Sequence, residues 1–345
     1  MNFAFPTQLF EFILGLAALI LLHELGHFLV AKLLKVEIEE FGLGFPPRAA
    51  KLFEAGGTVF SLNWIPLGGF VRPKGENDPS IPGGLAAASP WVRLAVLFAG
   101  PFMNLAIGVV LGAMLFFSLG DPILSKVQVQ QVAAESPATQ AGLQAEDLIV
   151  SVNGVPIDST ERLQEMIAQN LDRPTEIVYQ RGNQTYTTTL TPRSDPPPEQ
   201  GAIGIIMGHP TQPIGFGMAI QRGAQVVYEH MRAILLLPVR LLSGEASPEE
   251  GRFVGYKGLF DIYQQIRSPL WFFMAISISL GVINLFPIPA LDGGRILLTM
   301  PEIILRRRIP PQYENMIHLV GFTLLLALII YINLQDFLNP IQLPR

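Results

Sequence analysis

Four stretches of the chain are apolar and long enough to read as membrane-spanning helices, which need about 20 residues. They run from about Gln8 to Leu34, Trp91 to Leu119, Leu270 to Phe286 and Ile317 to Ile332. The first has no basic leader and is too long for a signal-peptide core, so it is expected to be retained. Between the first two spans, Val36–Phe41 and Thr58–Trp64 alternate as strands do, and Gly68-Gly69 marks a turn or bulge. Residues 121–207 are far more polar and carry a strand–helix pattern, with turns at Asn153-Gly154 and Arg181-Gly182-Asn183. In that segment Pro196-Pro197-Pro198 separates two β segments, Tyr186–Thr191 and Ala202–Met207. In residues 216–242 the charges Arg222, Glu229, Arg232 and Arg240 interrupt an apolar run, which predicts a helix lying at the interface rather than a fifth span.

Composition agrees with a membrane protein. Of 345 residues, 50% are hydrophobic and 15% charged, against about 25% charged in a soluble domain. The net charge of -5 and the lack of a basic block exclude nucleic-acid binding as a reading. There are no cysteines, so disulfides, thiolate ligands and a cysteine nucleophile are excluded. Any metal must be held by carboxylates and the five histidines.

Lysine and arginine near the span ends predict orientation. The loop after the first span carries Lys35, Arg48, Lys51, Arg72, Lys74 and Arg93, and the loop after the third carries Arg295, Arg306, Arg307 and Arg308. Residues 1–8 carry neither type, and the C-terminal tail carries only Arg345. Both termini and residues 120–268 are therefore expected outside, with the two basic loops in the cytoplasm.

The chemistry-bearing motif is His23-Glu24-Leu25-Gly26-His27, inside the first span. Residues four apart share a helix face, so both imidazoles can meet one metal ion. Neutral imidazoles suit zinc, and Glu24 beside them can act as general base. Ionisable groups near the bilayer centre cost roughly 2.5–3.5 kcal/mol on insertion scales and normally have a partner or a function. Packing hydrogen bonds would be one such use, but packing does not demand this spacing. A catalytic zinc needs a third ligand. The candidate is Asp292, in Asn284-Leu-Phe-Pro-Ile-Pro-Ala-Leu-Asp-Gly293, where Pro287 and Pro289 break the third span and Gly293-Gly294 are expected to loosen the next stretch of chain. Asp292 could instead cap the following helix. Of the other histidines, His209 lies outside the membrane, His230 falls on the amphipathic stretch, and His318 opens the fourth span. Gly108-x-x-x-Gly112 fits close helix contact.

Together, His23–His27 and Asn284–Gly293 resemble the paired motifs of site-2 proteases, metalloproteases of regulated intramembrane proteolysis. Gly100-Pro101-Phe102-Met103-Asn104 resembles the family's Gly-Pro-x-x-Asn. Phe41-Gly-Leu-Gly-Phe45 and Gly68-Gly-Phe-Val-Arg-Pro-Lys-Gly-Glu76 resemble its membrane re-entrant β-loop. The resemblance covers nearly the whole chain and is of the bacterial and plastid type. It implies His23, His27 and Asp292 as zinc ligands, Glu24 as catalytic base, Asn284 as a substrate-backbone contact, and Asn104 as an accessory or a helix-packing amide. Ser136-Pro137-Ala138, Ala141-Gly142-Leu143 and Asp147–Gly154 resemble a PDZ domain, with Glu146 where glycine is usual.

The expected fold is a polytopic α-helical membrane protein with four transmembrane helices, a re-entrant β-loop and an inserted extracytoplasmic α+β PDZ-like domain. Its parts are a catalytic membrane region at 1–119 with the β-loop at 36–74, the PDZ-like domain at 120–208, an interfacial segment at 209–268 and a second membrane region at 269–345. The resemblance implies a bacterial inner membrane or plastid-type location and zinc as cofactor. Partners would be the lipid bilayer and single-span substrates such as anti-sigma factors or remnant signal peptides. A non-catalytic PDZ scaffold and a metal transporter using the same ligands are the competing readings. The PDZ-like domain would either bind extended peptide or exclude bulky substrates sterically.

Overall fold

The computed structural model describes residues 4–341, apart from 198–199, 248–249 and 267. Pro198 of the proline run and the tail residue Arg345 fall outside them. The chain divides into two compact units, one holding residues up to Leu115 and from Ile220 onward, the other Phe116–Ala219.

The first unit begins with helix α1 (Ala4–Leu33). Two long strands follow, β1 (Ile38–Ala55) and β2 (Thr58–Pro73), then helix α2 (Pro90–Leu119). The strands expected at 36–41 and 58–64 are thus parts of a much longer hairpin. Both strands bend, so that Glu40, Phe41, Gly42 and Leu43 each have two partners: Arg72, Val71, Phe70 and Gly69 on one side, and Val59, Phe60, Ser61 and Leu62 on the other. The segment 69–72 therefore flanks this pairing. Glu40, 3% exposed, is held by the guanidinium groups of Arg48 and Arg72. The sheet docks on α1 through Phe28, whose ring centroid lies 5.4 Å from Phe41 and 5.7 Å from Phe60.

The same unit continues through α5 (Phe216–Ser243), α6 (Tyr256–Gln265), α7 (Pro269–Asn284), α8 (Asp292–Leu305) and α9 (Pro311–Leu338). Among the described residues, Pro6–Leu33, Pro90–Leu119 and Pro311–Leu338 are long and apolar enough to cross a membrane. The third expected span is the shorter apolar helix Pro269–Asn284. At 1.5 Å per residue its length is about 24 Å, less than the roughly 30 Å hydrocarbon core. Its buried face, Met274, Ile278 and Val282, packs with Leu115 of α2 and Val227 of α5. At Gly112 an added Cβ would lie 2.9 Å from the Gly223 backbone, so α2 and α5 touch where neither has a side chain.

One expectation fails at the start of α8. Gly293-Gly294 do not loosen the chain; they form its first turn, directly after Asp292. A Cβ on Gly293 would lie 2.2 Å from the Phe286 carbonyl oxygen, so their smallness lets α8 press against the turn that leaves α7.

The second unit is α+β. It comprises β3 (Asp121–Pro122), β4 (Val127–Val132), α3 (Pro137–Gln140), β5 (Leu148–Val152), β6 (Val155–Pro156), α4 (Thr160–Ala168), β7 (Thr175–Arg181), β8 (Gln184–Leu190), β9 (Ile205–Gly208) and β10 (Thr211–Gln212). One sheet runs in the order β8-β7-β5-β4-β9, with β6 paired to β5. Alternate positions Val127 and Val129 of β4, Ile149 of β5 and Ile177 of β7 point into its core with Leu163 of α4. Ser136 and Ser159 cap α3 and α4 by accepting from backbone amides. Asp147, fully buried, receives both Nε and Nη2 of Arg181 at 2.7 and 2.8 Å.

Glu146 has φ +73, so the turn before Asp147 keeps the left-handed backbone that glycine normally supplies. That conformation costs a side-chain-bearing residue roughly 1–2 kcal/mol. Replacing Glu146 with Gly is expected to stabilise the unit by about 0.5–1 kcal/mol, the gain being reduced by glycine's own entropy. Hydrogen exchange of β4 and β5 amides in the intact chain should slow accordingly; unchanged exchange would mean the turn carries no strain.

Candidate metal centre

The apolar sequence of α1 permits a straight helix through residues 23–27, and the i, i+4 spacing puts His23 and His27 on one face. Both are buried, at 7% and 8% exposure. Asp292 arrives from far along the chain as the first residue of α8, after the proline-containing turn has ended α7. It does not serve as the N-cap, which is Leu291. Its Oδ2 lies 3.1 Å from His23 Nε2 and 3.3 Å from His27 Nε2, and the two Nε2 atoms are 3.1 Å apart. Three donors at zinc bond lengths and tetrahedral angles stand about 3.3 Å apart, so this donor set fits zinc. Among the described residues this is the group of histidines and carboxylates arranged to hold a metal.

The ring tautomers are fixed from behind. His27 Nδ1 donates to the Val96 carbonyl at 2.7 Å, which leaves its Nε2 as an acceptor. The Asn104 side-chain amide lies 3.1 Å from His23 Nδ1 and is fully buried. Oriented with Oδ1 toward the ring, it accepts from Nδ1–H and frees His23 Nε2 in the same way. Outer partners of this kind commonly orient metal-bound histidines. The side chain of Asn104 thus lies directly against the far side of the His23 ring.

A cavity of about 350 Å³ opens on these atoms, lined among others by Glu24, Val71, Asn284 and Arg295. Glu24 Oε2 accepts from the Val71 amide at 3.1 Å, which ties the carboxylate to the flanking segment of the hairpin. Asn284, the last residue of α7, lines the same cavity. The remaining histidines lie elsewhere: His209 Nδ1 donates to the Lys126 carbonyl, His230 faces Ser279, and His318 meets the Ala290 amide.

Sequence reasoning did not single out three contributors. The Val71 amide and the Val96 carbonyl are backbone groups with no residue-type signature. Gly100 was visible only as part of a motif. A Cβ there would lie 2.2 Å from His27 Nε2 and 2.7 Å from His23 Nε2, so α2 can cross α1 at the metal centre only with glycine at that point. Gly100→Ala is expected to push both rings aside and weaken zinc retention by about 10–100-fold. Zinc content measured against a graded chelator series checks this; wild-type retention would mean the rings have room to move.

The model of peptidase family M50 matches residues 11–328. Relatives named as zinc metalloproteases include CPE1693 of Clostridium perfringens, 33% identical over 95% of this chain and 98% of its own. Cj1068 of Campylobacter jejuni is 32% identical over 94% and 91%. Zinc metalloprotease RasP of Oceanobacillus iheyensis is 26% identical over 96% and 98%. Among solved structures, the PDZ domain of an SdrC-like protein from Listeria monocytogenes covers 24% of this chain and 87% of its own, at 23% identity and a TM-score of 0.22, which does not establish a shared fold. Matched over nearly its whole length, the chain belongs to peptidase family M50, the site-2 protease family of zinc metalloproteases, and is an integral membrane protein.

Proposed function

We propose that this chain is an intramembrane endopeptidase in which His23, His27 and Asp292 hold the zinc and Glu24 is the general base. The observation that carries the reading is the meeting of those three donors beside Glu24 in one cavity, with His23, Glu24 and His27 on a helix long and apolar enough to span a bilayer. When bound, zinc supplies Lewis acidity, lowering the pKa of water to about 7 and polarising a carbonyl. Glu24 takes a proton from the attacking water as its oxygen bonds to the scissile carbonyl carbon. The carboxyl group then returns that proton to the departing amine nitrogen as the C–N bond breaks. Asn284, across the cavity, is assigned to the substrate backbone.

A transmembrane substrate must unwind before its carbonyls are accessible, and its freed backbone groups then need partners that lipid cannot offer. Residues 69–71 provide them. They pair with 41–43 on one side, while the Val71 amide faces Glu24 on the other. By the two-residue period of a strand, the Gly69 amide shares that side with Val71. An extended substrate segment adding here would lie directly over the catalytic carboxylate.

Substrates are assigned as single-span membrane proteins, among them tethered anti-sigma factors and remnant signal peptides. The termini and the PDZ-like unit are assigned to the outside, with the metal centre toward the cytoplasm. Three contacts support placing the two basic loops at one end of the membrane region. Arg93 pairs with Glu302, Arg295 pairs with Glu76, and Arg308 donates to the Ala86 carbonyl. The PDZ-like unit is assigned a filtering role, excluding substrates that carry bulky external domains.

Glu24→Gln should lower cleavage of a single-span reporter in membranes by about 100-fold or more, with zinc content unchanged. Undiminished cleavage would sink the catalytic assignment. Gly69→Pro removes one amide from the flanking segment and is expected to lower cleavage about tenfold, a hydrogen bond's worth, at constant zinc content. If cleavage stays at the wild-type level, strand addition is not how substrate is held.

A further inference from the structure

The reading of Asp292 as a zinc ligand raises the question of what holds Asp292 in place, since it sits at the end of a short turn between two helices. In that turn, 285–291, Leu285 and Phe286 donate back to α7, the Leu291 carbonyl accepts from Gly294 and Arg295 of α8, and between them Ile288 donates to the Phe286 carbonyl and Leu291 to the Ile288 carbonyl. Two residues before Asp292, Ala290 has φ +78. A side-chain-bearing residue stays in that left-handed conformation only where its surroundings fix it. The surroundings here are one face of α9. Ala290 N–H donates to His318 Nδ1 at 3.3 Å. One turn further along the helix, a Cβ on Gly321 would lie 2.2 Å from Pro289 Cβ and 2.9 Å from its carbonyl oxygen. Gly321 thus lets α9 come into contact with the turn, and His318 supplies the acceptor that orients it.

We propose that His318 is a positioning residue for the metal centre, holding the Ala290 turn so that Asp292 reaches the zinc. His318 does not line the cavity, whereas Ala290, Leu291 and Asp292 do. Its action is therefore transmitted through the Ala290 amide and not by contact with metal or substrate. To accept at Nδ1 the ring must be neutral, with its hydrogen on Nε2. The essential property is an acceptor at the Nδ1 position, and this separates the proposal from a packing role. Asparagine can place Oδ1 where Nδ1 stands, whereas the glutamine oxygen falls one bond further out, nearer the Nε2 position.

The test uses the full chain in detergent micelles, with zinc retention read against a chelator series and cobalt(II) substituted to report ligand geometry by its visible absorption. His318→Ala is expected to weaken zinc retention about tenfold, as loss of an outer partner does, and to alter the cobalt spectrum. His318→Asn should restore both, and His318→Gln should not. The asparagine–glutamine comparison keeps the test valid if the alanine variant folds poorly. Equal behaviour of the Asn and Gln variants, or wild-type retention and spectrum in His318→Ala, would overturn the proposal. Because the proposal rests on Asp292 as a ligand, Asp292→Ala is measured beside it. Wild-type zinc retention in Asp292→Ala would bring down the ligand assignment itself, whereas zinc loss there with an unaffected His318→Ala would bring down only the positioning role.

Discussion

Three polar side-chain atoms that converge to within 3.3 Å of one another, inside helices built for an apolar setting, are the constraint around which the first unit is arranged. Polar groups withdrawn from water are costly unless each finds a partner. Here the cost is offset in layers. The donor atoms face one another and fit a metal ion, while the far sides of the rings are met by Asn104 and the Val96 carbonyl. Removing any one partner would leave the others partly unsatisfied. This is why a helix-packing glycine and a backbone carbonyl matter to the centre as much as a ligand does.

The packing around that cluster follows from close approach rather than from bulk. Gly100 brings α2 against the two rings, Gly293 presses α8 onto the turn after α7, and Gly321 seats α9 on Pro289. In lipid, large apolar side chains gain little by leaving one solvent for another, so helices associate through small residues and polar contacts. The hairpin adds a different element. Its flanking segment meets Glu24 through the Val71 backbone amide, which ties that carboxylate to the strand. The second unit is stabilised in another way, by an apolar core between sheet and helix and by the buried Asp147 carboxylate paired with the half-buried Arg181.

Much of this was legible in the sequence because the underlying physics is local. A long run of apolar residues specifies an apolar helix, and the four-residue spacing of His23 and His27 fixes a shared face. An asparagine–glycine pair marks a turn through local backbone preference; Asn153 and Gly154 both take positive φ, as the turn signal implied. The His23–His27 motif, the candidate third ligand and the polar insert could all be read from residue type and order.

Other features needed the tertiary structure, because they depend on which distant atoms meet. Nothing in the strand pattern announced that β1 and β2 would bend until residues 40–43 had partners on both sides. That the Asn104 side chain lies against His23 Nδ1 is a contact between two helices that residue type alone does not announce. Asp292 could have been a helix cap until α8 began on it, and Gly293-Gly294 could have been a flexible joint until the turn was found packed against them. The sequence by itself determined the apolar helices and the paired histidines, since spacing along one helix decides which side chains share a face. Only the tertiary structure decided that the carboxylate from residue 292 completes the group. That contact spans 269 residues and depends on how the helices pack, a matter of shape that local patterns do not encode.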